Sequence, residues 1–547
     1  MATMDTFMDP FRKQPVDSLL IVPDRVRRET ADYGGEVRRF LRGELAPAAF
    51  SAYAASMGVY EHRERGHYMT RIRLGAGLVL ADQLDRIAGL SDELGDGIVH
   101  ATTRQALQLH GLSVEGTVLA QEALLAIGLA ARGGGGNTLR NITACPRASV
   151  CPKARFDVAP YSIAVAEHLL AHPNSIGLPR KFKIAFSGCA DDCAFASVTD
   201  VGFFAKDRGG EPGFAVYAAG GLGTRPGTGM LVENFIPASE VFQVAEALLN
   251  LFHRLGDRLN RRQARLRFVL DRLGTEGFLA EYETEKARLA ADGLHAQPPA
   301  IRSLPFACVP GDGPLQDVNA TDGFLAERDS GRCTLVLRLP GGNLLSADLR
   351  KVAGMARDLG AGVVIITQQQ DIHIPGIPVG SIAETRQRLG ALSFDARALP
   401  TKVVACTGAR TCKLGIGWAP ALAKEIEQAL SARNVRIPLP EIRLSGCPNQ
   451  CANHSLAALG FEGRLKRHGD KSMPCYDVFL GGKVTEGQAR LGQRLGTLPS
   501  KVVPSFVVDL AALASLDPET VRPILDRHAA LPDPIPGHFY MDWGRDP

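Results

Sequence analysis

The sequence predicts an α+β protein made of two copies of one unit, each of about 250 residues. Three observations carry this. Residues 71–95, RIRLGAGLVLADQLDRIAGLSDELG, resemble residues 336–360, VLRLPGGNLLSADLRKVAGMARDLG. The match runs on without a gap, from TTRQALQLHG at 102–111 to TQQQDIHIPG at 367–376. Eight of the 11 cysteines then fall into two quartets at matching places: Cys145, Cys151, Cys189, Cys193 and Cys406, Cys412, Cys447, Cys451.

The elements follow from apolar spacing. In each copy an alternating strand comes first (YMTRIRL, TLVLRL), then a helix at helical period (LADQLDRIAGLSDELG), then a further strand (GIVHATTRQALQLHG). The cysteine-bearing part follows, with a helix and a strand (KFKIAF, EIRLSG) that leads into the second Cys pair. Residues 1–50 read as an N-terminal extension and 51–120 as the first half-domain. Residues 121–295 form the first cysteine domain, which a polar helical stretch closes. The Pro/Gly-rich segment 296–320 reads as a linker. Residues 321–395 and 396–547 repeat the two parts.

Bulk composition excludes several classes. Apolar residues make up 45% and charged residues 22%, at net charge +4. That suits packed cores and argues against disorder. A pI near 8.5 is too mild to imply nucleic acid, but it favours an acidic protein partner. The N-terminal stretch has no apolar signal core, and no run reaches the roughly 18 apolar residues of a membrane span. These features predict a cytoplasmic protein without a membrane anchor. An odd cysteine count in such a chain argues against a disulfide framework.

Each quartet reads C-x5-C and, after a gap, C-x3-C. Zinc more often uses C-x2-C knuckles, and a bacterial ferredoxin uses C-x2-C-x2-C. The wider spacing suits a [4Fe–4S] cubane. A single such pair would more often be buried structural thiols; two matched quartets are not. Gly188 and Gly446 allow a sharp turn before each second pair. A helix starting there would aim N–H groups at an anionic cluster.

ACTGARTC followed by LSGCPNQCANH resembles the cluster motif of the siroheme-containing nitrite and sulfite reductases. HYMTRIRL, TTRQALQLHG and LPRKFKIAF resemble the same family, in the same order, over residues 40–510. The resemblance implies a duplicated fold with two ferredoxin-like half-domains and two siroheme/iron–sulfur domains related by a pseudo-two-fold axis. It implies that Cys406, Cys412, Cys447 and Cys451 hold a [4Fe–4S] cluster, with Cys451 also reaching the siroheme iron. Siroheme carries many carboxylates and the substrate is an oxyanion, so their pocket needs cations. At matching positions stand Arg73, Arg104, Arg140, Lys181 and Lys183. The resemblance gives Arg73, Arg140 and the lysines to substrate, and Arg104 to the macrocycle. Taken alone, the lysine pair also fits an ordinary solvated strand edge.

The copies are unequal. Arg73 keeps a counterpart in Arg338, but Arg104 aligns with Gln369, Arg140 with Thr401, and the lysines with Leu439 and Glu441. The catalytic cleft is therefore expected to combine second-copy cysteines with first-copy cations. The first quartet, with KFKIAFSGC, resembles the cysteine sets of dissimilatory sulfite reductases. It is expected to hold a second [4Fe–4S] cluster, with a silent siroheme-type ring or none.

The glycine loop AAGGLGTRPGTG at 218–229 has the wrong spacing and context for dinucleotide binding. The resemblance places Gly220 and Gly221 beside the macrocycle. His67, His110 and His373 read as packed, hydrogen-bonded residues.

The expected activity is six-electron reduction of sulfite to sulfide, which the dissimilatory-like first half favours. The alternatives are nitrite reduction to ammonia at the same site, or a non-catalytic iron–sulfur electron carrier. Neither a flavin nor a nicotinamide site is evident, so electrons are expected from an external ferredoxin or flavoprotein.

Overall fold

Each copy lends one short strand to the other. In the computed structural model, one five-stranded sheet runs Val59–Glu61, Tyr68–Ile72, Leu107–Leu112, Ile98–Ala101 and then Asn343–Leu345, which belongs to the second copy. Its partner runs Phe324–Ala326, Arg332–Leu337, Ile372–Pro378, Val363–Ile366 and then Leu78–Leu80, from the first copy. Residues 17–293, 300–304, 323–329, 331–395, 401–433 and 439–544 are described. Most of the linker at 296–320, including Cys308, lies outside them.

The exchange merges the two half-domains into one core. Helices Ala81–Leu94 and Ser346–Asp358 pack against each other. They bury Leu84, Ile87, Leu349 and Val352 in a cluster shared by both sheets. Each such side chain stabilises the assembly by about 1.5–3 kcal/mol.

The stretch GIVHATTRQALQLHG is two strands, not one. Ile98–Ala101 and Leu107–Leu112 pair antiparallel. Between them Gln105 takes a left-handed conformation (φ 52°), and Gln370 does the same in the second copy (φ 62°). The polar run between the two apolar segments is the hairpin turn.

The other two sheets follow one plan twice. The first runs Thr143–Ala144, Ile184–Ser187, Val201–Arg208, Glu211–Ala218 and Met230–Pro237. The second runs Val403–Ala405, Ile442–Ser445, Leu459–His468, Lys471–Leu480 and Gln493–Pro499. In each, the first three strands are parallel and the last two antiparallel. Ahead of the first sheet domain, helices Asp24–Leu41 and Pro47–Ser56 are tied to the first copy. Tyr33 Oη lies 2.8 Å from Thr117 Oγ1, and Arg132 pairs with Glu29 at 2.6 Å. Among the described residues, no helix is long and apolar enough to cross a membrane.

Candidate active site

Parallel pairing delivers the cysteines. Thr143–Ala144 runs parallel to Ile184–Ser187, so both strands end at one edge and place Cys145 and Cys189 there. Val403–Ala405 and Ile442–Ser445 do the same for Cys406 and Cys447. The C-x3-C loops then share one backbone. Asp192 and Phe195 are left-handed (φ 52° and 57°), as are Gln450 and Asn453 (φ 56° and 59°).

No α-helix starts at either C-x3-C pair. The left-handed residues stop one, and short 3-10 turns, Ala196–Val198 and His454–Leu456, follow instead. The Asp192 carboxylate accepts from the backbone N–H groups of Ala196 (2.7 Å) and Ser197 (2.9 Å), holding the turn.

Both quartets gather. Cys145 is hydrogen-bonded to Cys193; this bond, with burial, pushes the Cys145 thiol well up, and against burial it pulls the Cys193 thiol down. Cys189 is raised to about 11 by burial, with Cys193 and Cys151 adding to it. Burial and the charge of Cys451 raise Cys406 to about 12. Burial raises Cys447, with Cys451 and Cys412 adding to it. Among the described residues no three His, Cys, Asp or Glu side chains converge on a point fit for one metal ion. Within each set the thiols lie in one another's electrostatic reach, and thiolates are the usual ligands of an iron–sulfur cluster. Two donors already face the second set: Gly446 N–H to Cys406 Sγ (3.1 Å) and Asn449 Nδ2 to Cys447 Sγ (3.5 Å).

The second quartet faces the first copy. Thr103 Oγ1 donates to the Cys451 carbonyl at 2.6 Å, and Gln450 Nε2 donates to the Gly223 carbonyl at 2.9 Å. Lys181 lies within the electrostatic reach of Cys451. The crossing is reciprocal. Gln368 Nε2 donates to the Ala144 carbonyl (2.8 Å), and Glu486 N–H donates to the Ala190 carbonyl (2.9 Å).

The five sequence-predicted cations come together. Arg73 is held by the carbonyls of Leu139 (2.8 Å) and Arg140 (3.2 Å). Arg104 is held by that of Asn141 (2.6 Å), and Arg140 by that of Gly136 (2.9 Å). Burial, then the neighbouring arginines, pulls Arg73 down to about 9. Burial likewise pulls Arg104 to about 9 and Arg140 to about 10. Burial and Arg265 bring Lys181 to about 7, and burial and Arg104 push Lys183 well below its usual value.

Both lysines precede strand Ile184–Ser187 rather than lying in it. Between them Phe182 is fully buried and bridges Leu139, so the flanking lysines face the opposite way, into the cleft. They keep some accessible surface while protein surrounds them, as residues lining a deep cleft do.

Two arginines escape the sequence reading. Arg265 pairs with buried Asp200 (2.8 and 3.1 Å), whose other contact is the Lys183 backbone N–H (2.8 Å). Arg267 is 9% exposed, and its Nε and Nη1 have no partner. A Cβ on Gly221 would stand 2.6 Å from Arg267 Nη1 and 3.0 Å from Arg265 Nη2, so the glycine loop leaves room for both guanidiniums. The signal was the basic run RRQARLR at 261–267, which reads as a polar helix surface.

Arg104 Nε and Arg140 Nε are also buried without a partner. These seven cations gather around one buried carboxylate, Asp200, with the exposed Asp271 in the field of Arg267. Such a set is costly unless an anionic group completes it, so the residues present fit a carboxylate-rich macrocycle. Of the three histidines, His110 is buried with Nδ1 at 3.1 Å from His62 Nε2, and His373 is buried with an unpartnered Nδ1. His67 is exposed, beside Glu64 at 3.6 Å, and not packed.

Residues 135–289 match the family described as the nitrite and sulphite reductase 4Fe-4S domain. Residues 60–127 and 326–392 match the nitrite/sulfite reductase ferredoxin-like half domain. The chain is 30% identical over 444 residues to a ferredoxin–nitrite reductase of Synechococcus elongatus, covering 79% of this chain and 83% of that one. It is 28% identical to a sulfite reductase [ferredoxin] 2 of Mycolicibacterium paratuberculosis, covering 78% and 75%. The solved structure of Mycobacterium tuberculosis NirA protein superposes with a TM-score of 0.73, at 22% identity, over 94% of this chain and 97% of that one. This likeness in sequence and fold, laid over the crossed arrangement of cysteines and cations, establishes that the chain belongs to the siroheme- and [4Fe–4S]-containing nitrite/sulfite reductases and is an oxidoreductase of that kind.

Proposed function

We propose that the chain reduces nitrite to ammonia at the cleft between Cys451 and the first-copy cations. The observation that carries this reading is that Thr103 Oγ1, next to Arg104, donates to the carbonyl of Cys451, a residue of the other copy, at 2.6 Å. Relatives named ferredoxin–nitrite reductase, as in Synechococcus elongatus and maize, favour nitrite over the sulfite that the first half suggested.

Cys406, Cys412, Cys447 and Cys451 would hold the cluster, with Arg104, Arg265, Arg267 and the Gly220–Gly221 loop around the siroheme. Together the two groups supply substrate binding at iron and electrons one at a time. The chain supplies charge and protons. Arg73, Arg140, Lys181 and Lys183 bind the substrate oxygens. Lys181, at about 7, can give and retake a proton at neutral pH as each oxygen leaves as water. Six electrons and eight protons carry nitrite to ammonium and two waters. The donor is an external ferredoxin-class protein, as the relatives' names suggest; a flavoprotein is the alternative. The finer reading of the cofactors is two clusters per chain.

Sulfite is the second reading. It is a dianion when deprotonated, and a cleft this rich in cations suits it; a relative also bears that name. Steady-state turnover of the reconstituted enzyme with a reduced viologen and each anion decides. A higher kcat/KM for nitrite supports the proposal, and a higher value for sulfite replaces it.

A further inference from the structure

The mirror cleft joins the first quartet to the second copy, and its chemistry differs from that of the active cleft. Arg338, the counterpart of Arg73, lies within the field of two carboxylates, Asp371 and Glu427, and a third, Glu441, lies within the field of Asp371 and Lys402. Where the active cleft has Ala106 and Asn141, the mirror cleft has Asp371 and Lys402, which form an ion pair. In place of Ala185 stands Arg443, fully buried. It is paired with Glu441 at 2.5 Å and stacked 4.7 Å over Phe195, next to the first C-x3-C loop. The cavity lined by Arg338, Gln370, Asp371, Lys402 and Glu427 measures about 60 Å³, space for a few waters.

Arg338, Lys402 and Arg443 stand here among Asp371, Glu427 and Glu441, and Arg147, beside Cys145, lies in the field of Glu327, so a ring edged with carboxylates meets none of the cation excess of the active cleft. The first quartet, in contrast, is intact. Its four thiols are free and lie within one another's field. Its loop copies the left-handed backbone of the second set, and the same parallel strand pair presents it.

We propose that Cys145, Cys151, Cys189 and Cys193 hold a second [4Fe–4S] cluster that stands alone, with no macrocycle beside it. This rests on the siroheme reading of the other cleft. All four thiolates of this cluster bind its own irons, and Cys193 bridges to nothing. It is therefore magnetically separate from the siroheme iron.

The test uses the full chain, purified anaerobically with its cofactors. Iron, acid-labile sulfide and extracted siroheme are counted, and electron paramagnetic resonance is recorded after dithionite reduction. Expected are roughly nine irons and one siroheme per chain, with a reduced-cluster signal that shows no coupling to the siroheme. The Cys193→Ser chain should lose that signal and keep the siroheme band; Cys451→Ser should do the reverse. About five irons and one siroheme overturns the second cluster and leaves the active cleft standing. Two sirohemes per chain overturn the isolation of the cluster. Absence of siroheme sinks the underlying reading, and the uncoupled signal then decides the cluster by itself. If Cys193→Ser does not fold, the counts on the unmodified chain still decide.

Discussion

The side-chain hydroxyl of Thr103 donates to the carbonyl of Cys451 at 2.6 Å. The two residues come from different copies. The hairpin that carries Thr103 also carries Arg104, so one bond couples the position of the cation to that of the cysteine. Thr103→Val should lower stability by about 1 kcal/mol, the worth of one such bond. It should also speed siroheme loss on dilution. A dissociation rate equal to that of the unmodified enzyme would count against this coupling.

Lys181 lies within reach of Cys451 and sits at about 7, and Lys183 lies within reach of Lys181. Replacing either with Gln should cut turnover on nitrite by about 10²–10⁴-fold if it moves protons, with siroheme content unchanged. A rise in KM with kcat intact would assign it to anion binding alone.

Asp200 is the carboxylate inside the cation cluster and is fully buried against Arg265. Asp200→Ala leaves Arg265 and the Lys183 N–H without their partner. Folding stability should fall by about 3–5 kcal/mol, read from chemical denaturation of the cofactor-free chain. A loss below about 1 kcal/mol would mean that water replaces the carboxylate.

Gly220 and Gly221 separate two effects. A Cβ on Gly220 would lie 2.6 Å from the Thr199 carbonyl oxygen, which is backbone and cannot yield. A Cβ on Gly221 meets only guanidinium ends, which can. Gly220→Ala should therefore lower the yield of folded protein. Gly221→Ala should fold and bind siroheme less tightly. Equal behaviour of the two variants would remove the loop from the macrocycle site.

Burial holds His100 at about 4, against an ordinary 6.5, while it faces Asn343 (2.9 Å), Gln370, Arg71 and Arg410. The unfolded chain takes up a proton between pH 6.5 and 4 that the folded one refuses. Stability is therefore full above pH 6.5 and falls as pH drops towards 4. The loss is on the order of 3 kcal/mol. In Tm against pH, His100→Gln should make the acid limb shallower. An unchanged slope would show that His100 titrates normally.

The duplication, the two quartets, the five cations and the inequality of the copies are all legible in the sequence. Each is a matter of residue type at a repeated spacing, and duplication gives every position an internal control: Lys183 means more once Glu441 stands in its place. Several features were not legible. One predicted strand proved to be a hairpin, because Gln105 and Gln370 adopt a left-handed turn that their residue type does not announce. No helix follows either C-x3-C pair, for the same reason at Asp192 and Gln450. Arg265 and Arg267 read as a solvated helix start.

The sequence by itself determined which chemistry each copy carries: thiols in both, a full cation set in the first. Only the tertiary structure decided which thiols meet which cations. Swapped strands Leu78–Leu80 and Asn343–Leu345 bind the half-domains together, and reciprocal hydrogen bonds set each cysteine loop against the opposite copy. Pairing across a pseudo-two-fold depends on long-range contacts between segments hundreds of residues apart, and local spacing does not encode such contacts. The same contacts put Lys402 against Asp371, so one cleft pairs its cations with carboxylates while the other gathers cations around a single buried one, Asp200.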